Sequence, residues 1–184
     1  MKNWHEEHIE SLTTGIVNEF NYLFTEIKEN NDCIYAVVIC LDSDILTGYL
    51  VIGTKNTVEM RKKQDSNWDF KWMLGEWDIA TETHEIDNGV HNLFLHEMRR
   101  HFENDIEPKL MQGGDYTEER EKNLWLFMQG MKNAKEILKQ NYTKALESTL
   151  FYLSIPGDEV FEIKTAKALN EPSALLTEMI RENS

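Results

Sequence analysis

One uninterrupted apolar run constrains the fold more than any other feature of this chain. Residues 33–41, Cys-Ile-Tyr-Ala-Val-Val-Ile-Cys-Leu, are rich in β-branched side chains and contain no charged position. A strand that is apolar at every position, rather than at alternate positions, is typical of a sheet covered on both faces. The sequence therefore predicts a central strand with other elements packed on each side of it.

Turn-forming residues predict two hairpins. Asp-Ser-Asp at 42–44 follows the apolar run, and 45–53 has the composition of a second strand. Further along, Pro-Gly-Asp at 156–158 separates two short apolar segments, 150–155 and 160–163. We expect each pair of segments to form two antiparallel strands.

Helical periodicity accounts for most of the remaining chain. Apolar residues recur at spacings of three and four from Ile9 to Ile27, and a similar period runs from Leu124 to Ala145, where Gly130 could divide the helix. Shorter helices are predicted at 57–64, after Asn88 and at 173–182. The order of elements predicts an α+β fold with a mostly antiparallel sheet, an N-terminal amphipathic helix and several packed helices, in a single domain spanning residues 1–184.

Tryptophan is concentrated in one ten-residue stretch, 68–77, which holds three of the five tryptophans. Trp68, Phe70 and Trp72 alternate with polar residues, which predicts a strand with one aromatic face. Such a cluster serves either as part of a core or as a surface that holds a partner.

The candidate partner-binding residues are Trp68, Trp72, Glu76 and Trp77, with Trp4 as a further anchor. The alternative is that Trp72 and Trp77 pack against a helix while Glu76 caps a turn or pairs with a nearby base. The sequence leaves both interpretations open.

The charge balance narrows the class of partner. The chain carries 33 acidic and 19 basic residues, a formal net charge of −14. This charge repels nucleic acid and anionic membranes and speeds encounter with a basic protein, although it also serves solubility alone. No apolar run approaches the ~20 residues of a membrane span, and the N-terminus lacks the apolar core of a signal peptide, so we expect a cytoplasmic protein.

Residues with reactive side chains form no convincing catalytic or metal-binding motif. His96 and His101 are five apart, whereas zinc-protease helices need histidines four apart, and Glu97 could pair with His101. His5 and His8 share a helix face but lack a third ligand. Cys33 and Cys40 would point to opposite faces of one strand and are predicted to be buried thiols. We therefore predict no catalytic residue, metal or cofactor.

Two short elements resemble a family of bacterial domains of unknown function, domain of unknown function four-three-zero-three. They are the Trp-x-x-x-Glu-Trp element at Trp72, Glu76 and Trp77, and the Leu-Asn-Glu-Pro element at 169–172, where Glu171 interrupts the family pattern. The resemblance implies a bacterial, cytoplasmic protein without an established catalytic residue. Small acidic domains of this kind are similar in character to the immunity proteins of toxin systems.

These observations favour a non-enzymatic protein-binding module, such as an immunity protein that neutralises a basic toxin. One alternative is a small-molecule-binding or enzymatic domain whose pocket is lined by His84, His91 and Glu76. Another is a subunit that self-associates through its C-terminal helices. The sequence does not determine the oligomeric state.

Overall fold

A four-stranded sheet forms the centre of the fold in the computed structural model, which describes residues 3–29, 32–81 and 86–183. The strands lie in the order β3-β2-β1-β4. Their bounds are Ile34–Leu41 for β1, Gly48–Thr54 for β2, Ile79–Ala80 for β3 and Leu150–Ser154 for β4. β2 pairs antiparallel with β1 and with β3, whereas β1 and β4 are parallel. The predicted α+β fold is confirmed, with a sheet that is mixed rather than purely antiparallel.

Helices account for most of the rest of the described chain. The α-helices are α1 (Trp4–Glu29), α2 (Lys55–Gln64), α3 (His96–His101), α4 (Glu107–Leu110), α5 (Thr117–Asn141), α6 (Glu159–Leu169) and α7 (Ala174–Glu182). Two π-helical stretches, His91–Leu95 and Phe102–Ile106, flank α3, and a short 3-10 helix spans Leu74–Glu76. Over the described residues, no helix combines the length and the apolarity needed to cross a membrane.

Strand β1 is buried along its whole length between two layers. Val37, Ile39 and Leu41 belong to a core shared with α1 and α5, while the alternate residues Val38 and Cys40 belong to a second core with α6 and α7. Because successive side chains of a strand point to opposite faces, the continuous apolar run supplies both cores. The prediction of a strand covered on both faces is confirmed.

The second predicted hairpin is wrong, because residues 160–163 lie in α6 instead of a returning strand. Asp158 caps this helix by accepting a hydrogen bond from the backbone N–H of Phe161 at 2.9 Å. The free edge of β4 is covered by α6 side chains. Thr165 bonds both backbone groups of Leu153, and Asn170 bonds both backbone groups of Phe151.

Four further predictions are corrected in detail. The segment 68–72 forms turns and loop instead of a strand, and β2 begins at Gly48. Helix α5 continues through Gly130 without a break. This glycine lies where α1 and α5 approach closely, since a Cβ atom there would lie 2.7 Å from Cδ2 of Leu12. Cys33 precedes β1 and is exposed, whereas Cys40 is buried as predicted.

Candidate functional site

The tryptophan-rich segment packs on the second core around Tyr35 of β1. The rings of Trp72 and Trp77 each meet the Tyr35 ring edge-on, with centroids 5.4 Å apart. The backbone carbonyl of Lys71 accepts hydrogen bonds from the Tyr35 hydroxyl at 2.7 Å and from Nε1 of Trp77 at 2.9 Å. These contacts hold the irregular segment against the sheet without a strand ladder.

Helix α7 fixes the segment from its other side. Nε1 of Trp72 donates to Glu182 at 3.0 Å, and Nζ of Lys71 lies 2.6 Å from the carboxylate of Glu178. The Lys71 ammonium also lies 4.7 Å from the centre of the Trp72 ring, within cation–π range. The fold therefore uses the segment to join β1 to the C-terminal helix.

The three tryptophans predicted as partner-binding residues lie in the interior and not on the surface. Trp68, Trp72 and Trp77 are all buried, at 8%, 4% and 6% exposure. Glu76 is half-buried and lies 3.8 Å from Arg61, so it pairs with a base as the alternative interpretation held. Trp4 stacks between His8 and His101.

Phe70 and Met73 are the exposed large side chains of this segment. They are 49% and 52% exposed, and the candidate list drawn from the sequence did not include them. A large apolar side chain left in solvent beside a buried aromatic cluster is the feature that a partner can cover. The exposed apolar surface of the segment is therefore formed by Phe70 and Met73, and its tryptophans are buried.

Phe70 and Met73 border a cleft of about 680 Å³ at the carboxyl ends of the parallel strands β1 and β4. Cys40 and Ser154, near those two strand ends, contribute to its walls. In open sheets the crevice beyond the carboxyl ends of parallel strands is a common location for binding sites.

The cleft combines apolar and negatively charged walls. Its carboxylates are those of Asp69, Glu159, Glu162 and Glu182. Among the residues that the structure describes, none with a basic side chain lines it. The arrangement is suited to a cation that also carries apolar groups.

Glu162 is the buried carboxyl group of this cleft. It accepts a hydrogen bond from the hydroxyl of Ser154, at the end of β4. Burial raises the pKa of Glu162 to about 7, and the neighbouring charges of Glu159 and Asp158 act in the same direction, while the Ser154 hydrogen bond opposes them. The charge at the base of the cleft therefore changes near neutral pH.

A second group of polar side chains lies away from the cleft, where α1, α3 and α5 meet. Oε1 of Glu119 lies 3.1 Å from Nε2 of His5 and 2.9 Å from Nε2 of His101. All three side chains are mostly buried, with 5%, 11% and 12% exposure for His5, His101 and Glu119. One ligand atom from each lies within 4.8 Å of the others, so the group could hold a metal ion.

Sequence spacing could not identify this group, because its members come from three separate helices. The predicted pairing of Glu97 with His101 is wrong: Glu97 pairs with Arg100, and His101 faces Asp105 and Glu119. His8, which shares a helix face with His5, is engaged elsewhere, since its Nδ1 lies 2.7 Å from the carbonyl of Trp4. Only the helix packing supplies His5 with further neighbours.

The structure describes two of the three residues of the pocket considered for a small-molecule function. His84 lies outside the residues that the structure describes, and His91 is exposed. Glu76 pairs with Arg61 and does not line the carboxylate cleft described above. A small-molecule or enzymatic function stays an untested alternative.

Comparison with protein-family models, with curated proteins and with solved structures gave no match to this chain. The resemblance to the bacterial family with the Trp-x-x-x-Glu-Trp element therefore stays a prediction.

Proposed function

We propose that this protein is a non-enzymatic binding module that holds a basic, partly apolar segment of a protein partner in the carboxylate cleft. The observation that carries the proposal is the composition of that cleft, in which exposed Phe70 and Met73 lie beside carboxylates with no lining base among the described residues. A lysine or arginine of the partner would meet the carboxylates. An adjacent apolar side chain would cover Phe70 and Met73.

The net charge of the whole chain supports the same class of partner. A formal charge of −14 attracts a basic protein from a distance and raises the rate of encounter. We place the protein in the cytoplasm and propose a toxin that it neutralises as the partner, in the manner of an immunity protein. Nucleic acids and anionic membranes would be repelled by the same field.

The proposal is tested by selecting ligands from a displayed library of random twelve-residue peptides. Peptides retained by the wild-type protein at low salt are counter-selected against a Phe70→Ser/Met73→Ser variant, so that binders of other surfaces are removed. Met111→Ser is a matched control, because Met111 is also exposed but does not line the cleft. We expect the surviving peptides to be enriched in Lys or Arg next to an apolar residue.

Two results would count against the proposal. One is enrichment of acidic or uncharged peptides, which the carboxylate walls do not explain. The other is a set of peptides that bind the wild-type protein and the Phe70→Ser/Met73→Ser variant equally well. Circular dichroism of both variants shows whether the fold is retained.

A further inference from the structure

We propose that His5, His101 and Glu119 bind one divalent transition-metal ion of the zinc class, at a site separate from the carboxylate cleft. Two imidazole nitrogens and one carboxylate oxygen form a donor set that zinc accepts. The ligands come from α1, α3 and α5, so the ion would tie together three segments that are far apart in the chain.

The distances from the Glu119 carboxylate oxygen to the two histidine nitrogens fit such an ion. A tetrahedral zinc ion with bonds of about 2.1 Å holds its ligand atoms roughly 3.4 Å apart. The distances from Oε1 of Glu119 to the two Nε2 atoms, 3.1 Å and 2.9 Å, are within a few tenths of an ångström of that value. Small side-chain rotations would therefore be enough to admit the ion.

The positions of the ring protons of His101 also favour a metal cation between His101 and Glu119. Nδ1 of His101 lies 3.0 Å from Asp105, so its proton is directed to that carboxylate. In the neutral imidazole, Nε2 then presents a lone pair toward Glu119, an arrangement that needs either a second proton or a metal ion between the two atoms. A carboxylate on the opposite ring nitrogen is the usual partner of a metal-binding histidine.

The His5 nitrogen has competing acceptors of its own. Its Nε2 lies 3.0 Å from Oδ1 of Asn123 and 3.1 Å from Oε1 of Glu119, yet it carries one proton at most. A metal ion would bond Nε2 and Oε1 directly and remove this competition. Asn123 is held in place by its own hydrogen bond to the hydroxyl of Tyr116.

The surroundings orient the ligands and leave room for a further one. The ring of Trp4 stacks on that of His101, with centroids 4.3 Å apart and planes 9° apart. A cavity of about 420 Å³ opens beside His5, with Glu6, Glu118 and Glu121 in its walls. An ion with three protein ligands would therefore keep a fourth position for water on this side.

The test is a titration of the chelator-treated full chain with Co²⁺ and then with Zn²⁺. We expect one equivalent of Co²⁺ to give the visible absorption of a four-coordinate site, and Zn²⁺ to displace it. Glu119→Gln and His101→Gln should each weaken Co²⁺ binding at least tenfold. Zinc should raise the melting temperature of the wild-type protein and leave that of Glu119→Gln almost unchanged.

His96→Gln is the matched control, because His96 is exposed on the same helix as His101 and faces His91 instead of the site. It should bind Co²⁺ like the wild-type protein. Absence of stoichiometric binding would overturn the proposal, as would equal affinity in wild type and Glu119→Gln. A loss of binding in His96→Gln would also overturn it, since the ion would then lie on exposed histidines. Circular dichroism of each variant separates lost ligands from lost folding.

Discussion

At the scale of single residues, burial decides which side chains have unusual properties. Trp77 and Glu162 are two examples. The sequence predicted Trp77 as a candidate partner-binding residue, but in the fold it is buried by contacts with Tyr35 and Lys71. Glu162 has no feature in the sequence that distinguishes it from 32 other acids. Its pKa is raised chiefly because the fold buries it, and the hydrogen bond from Ser154 offsets part of that rise.

The raised pKa of Glu162 predicts that the stability of the folded protein depends on pH. The pKa of this carboxyl group is about 7 in the folded protein and near 4.5 in the unfolded chain, so the folded state holds the proton more tightly. The free energy of unfolding that this group contributes is fully present below about pH 4.5 and is lost as the pH rises through about 7. Glu162→Gln, neutral at every pH, should therefore gain stability relative to wild type between pH 5 and pH 8, by up to roughly 3 kcal/mol.

Urea unfolding of both proteins at several pH values measures this difference. Glu26→Gln is the control, because Glu26 is exposed on α1 and is not among the groups that shift the pKa of Glu162. A free-energy difference between Glu162→Gln and wild type that stays constant from pH 5 to pH 8 would contradict the assignment.

At the scale of elements, long periodic or continuously apolar segments predicted the secondary structure correctly, whereas a short apolar segment did not. Eight of the nine residues of the apolar run form β1, and the stripe from Ile9 to Ile27 lies in α1. The segment 160–163, Val-Phe-Glu-Ile, has three apolar positions in only four residues, which is too short a pattern to distinguish a strand from a helix turn. The Asp158 cap and the bonds from α6 to the edge of β4 decided in favour of the helix.

The side chain of Asn170 is expected to stabilise the edge of β4. It accepts from the backbone N–H of Phe151 at 3.0 Å and donates to the carbonyl of the same residue at 2.7 Å. Asn170→Ala leaves both groups without these bonds and should lower the free energy of unfolding by about 1–3 kcal/mol. Asn56→Ala, at an exposed position, is the control for urea unfolding. Equal stability of the two variants would show that solvent replaces the Asn170 bonds.

Gly15 is expected to be required where α1 meets the start of the helical segment after residue 89. A Cβ atom at this position would lie 2.8 Å from Cα of Val90 and 2.9 Å from its backbone nitrogen. Alanine normally stabilises a helix interior by about 1 kcal/mol relative to glycine. Here the contact is with backbone atoms, so Gly15→Ala should instead destabilise the protein by about 1–3 kcal/mol.

Thermal unfolding compares this variant with Gly75→Ala, because a Cβ atom at Gly75 would have no neighbour within 4 Å. The control should change stability by less than about 0.5 kcal/mol. A Gly15→Ala protein as stable as wild type would mean that α1 can move away from Val90 at little cost.

At the scale of the whole molecule, the sites depend on contacts between distant segments. The cleft joins residues of the tryptophan-rich segment to the ends of β1 and β4, and the histidine group joins positions 5, 101 and 119. The negative charge follows from the sequence alone, since charge requires no knowledge of packing, and the basic partner inferred from it stays a prediction. It could not predict which side chains would share a cleft, because helix spacing relates only residues of one element.

Binding of a basic segment in the carboxylate cleft is measured most directly by calorimetric titration of one selected basic peptide into the protein at low and high salt. We predict that Phe70→Ser/Met73→Ser weakens binding at least tenfold, that Met111→Ser leaves it unchanged, and that binding weakens as salt screens the carboxylates. Equal affinity for wild type and the Phe70→Ser/Met73→Ser variant, together with no dependence on salt, would contradict the account.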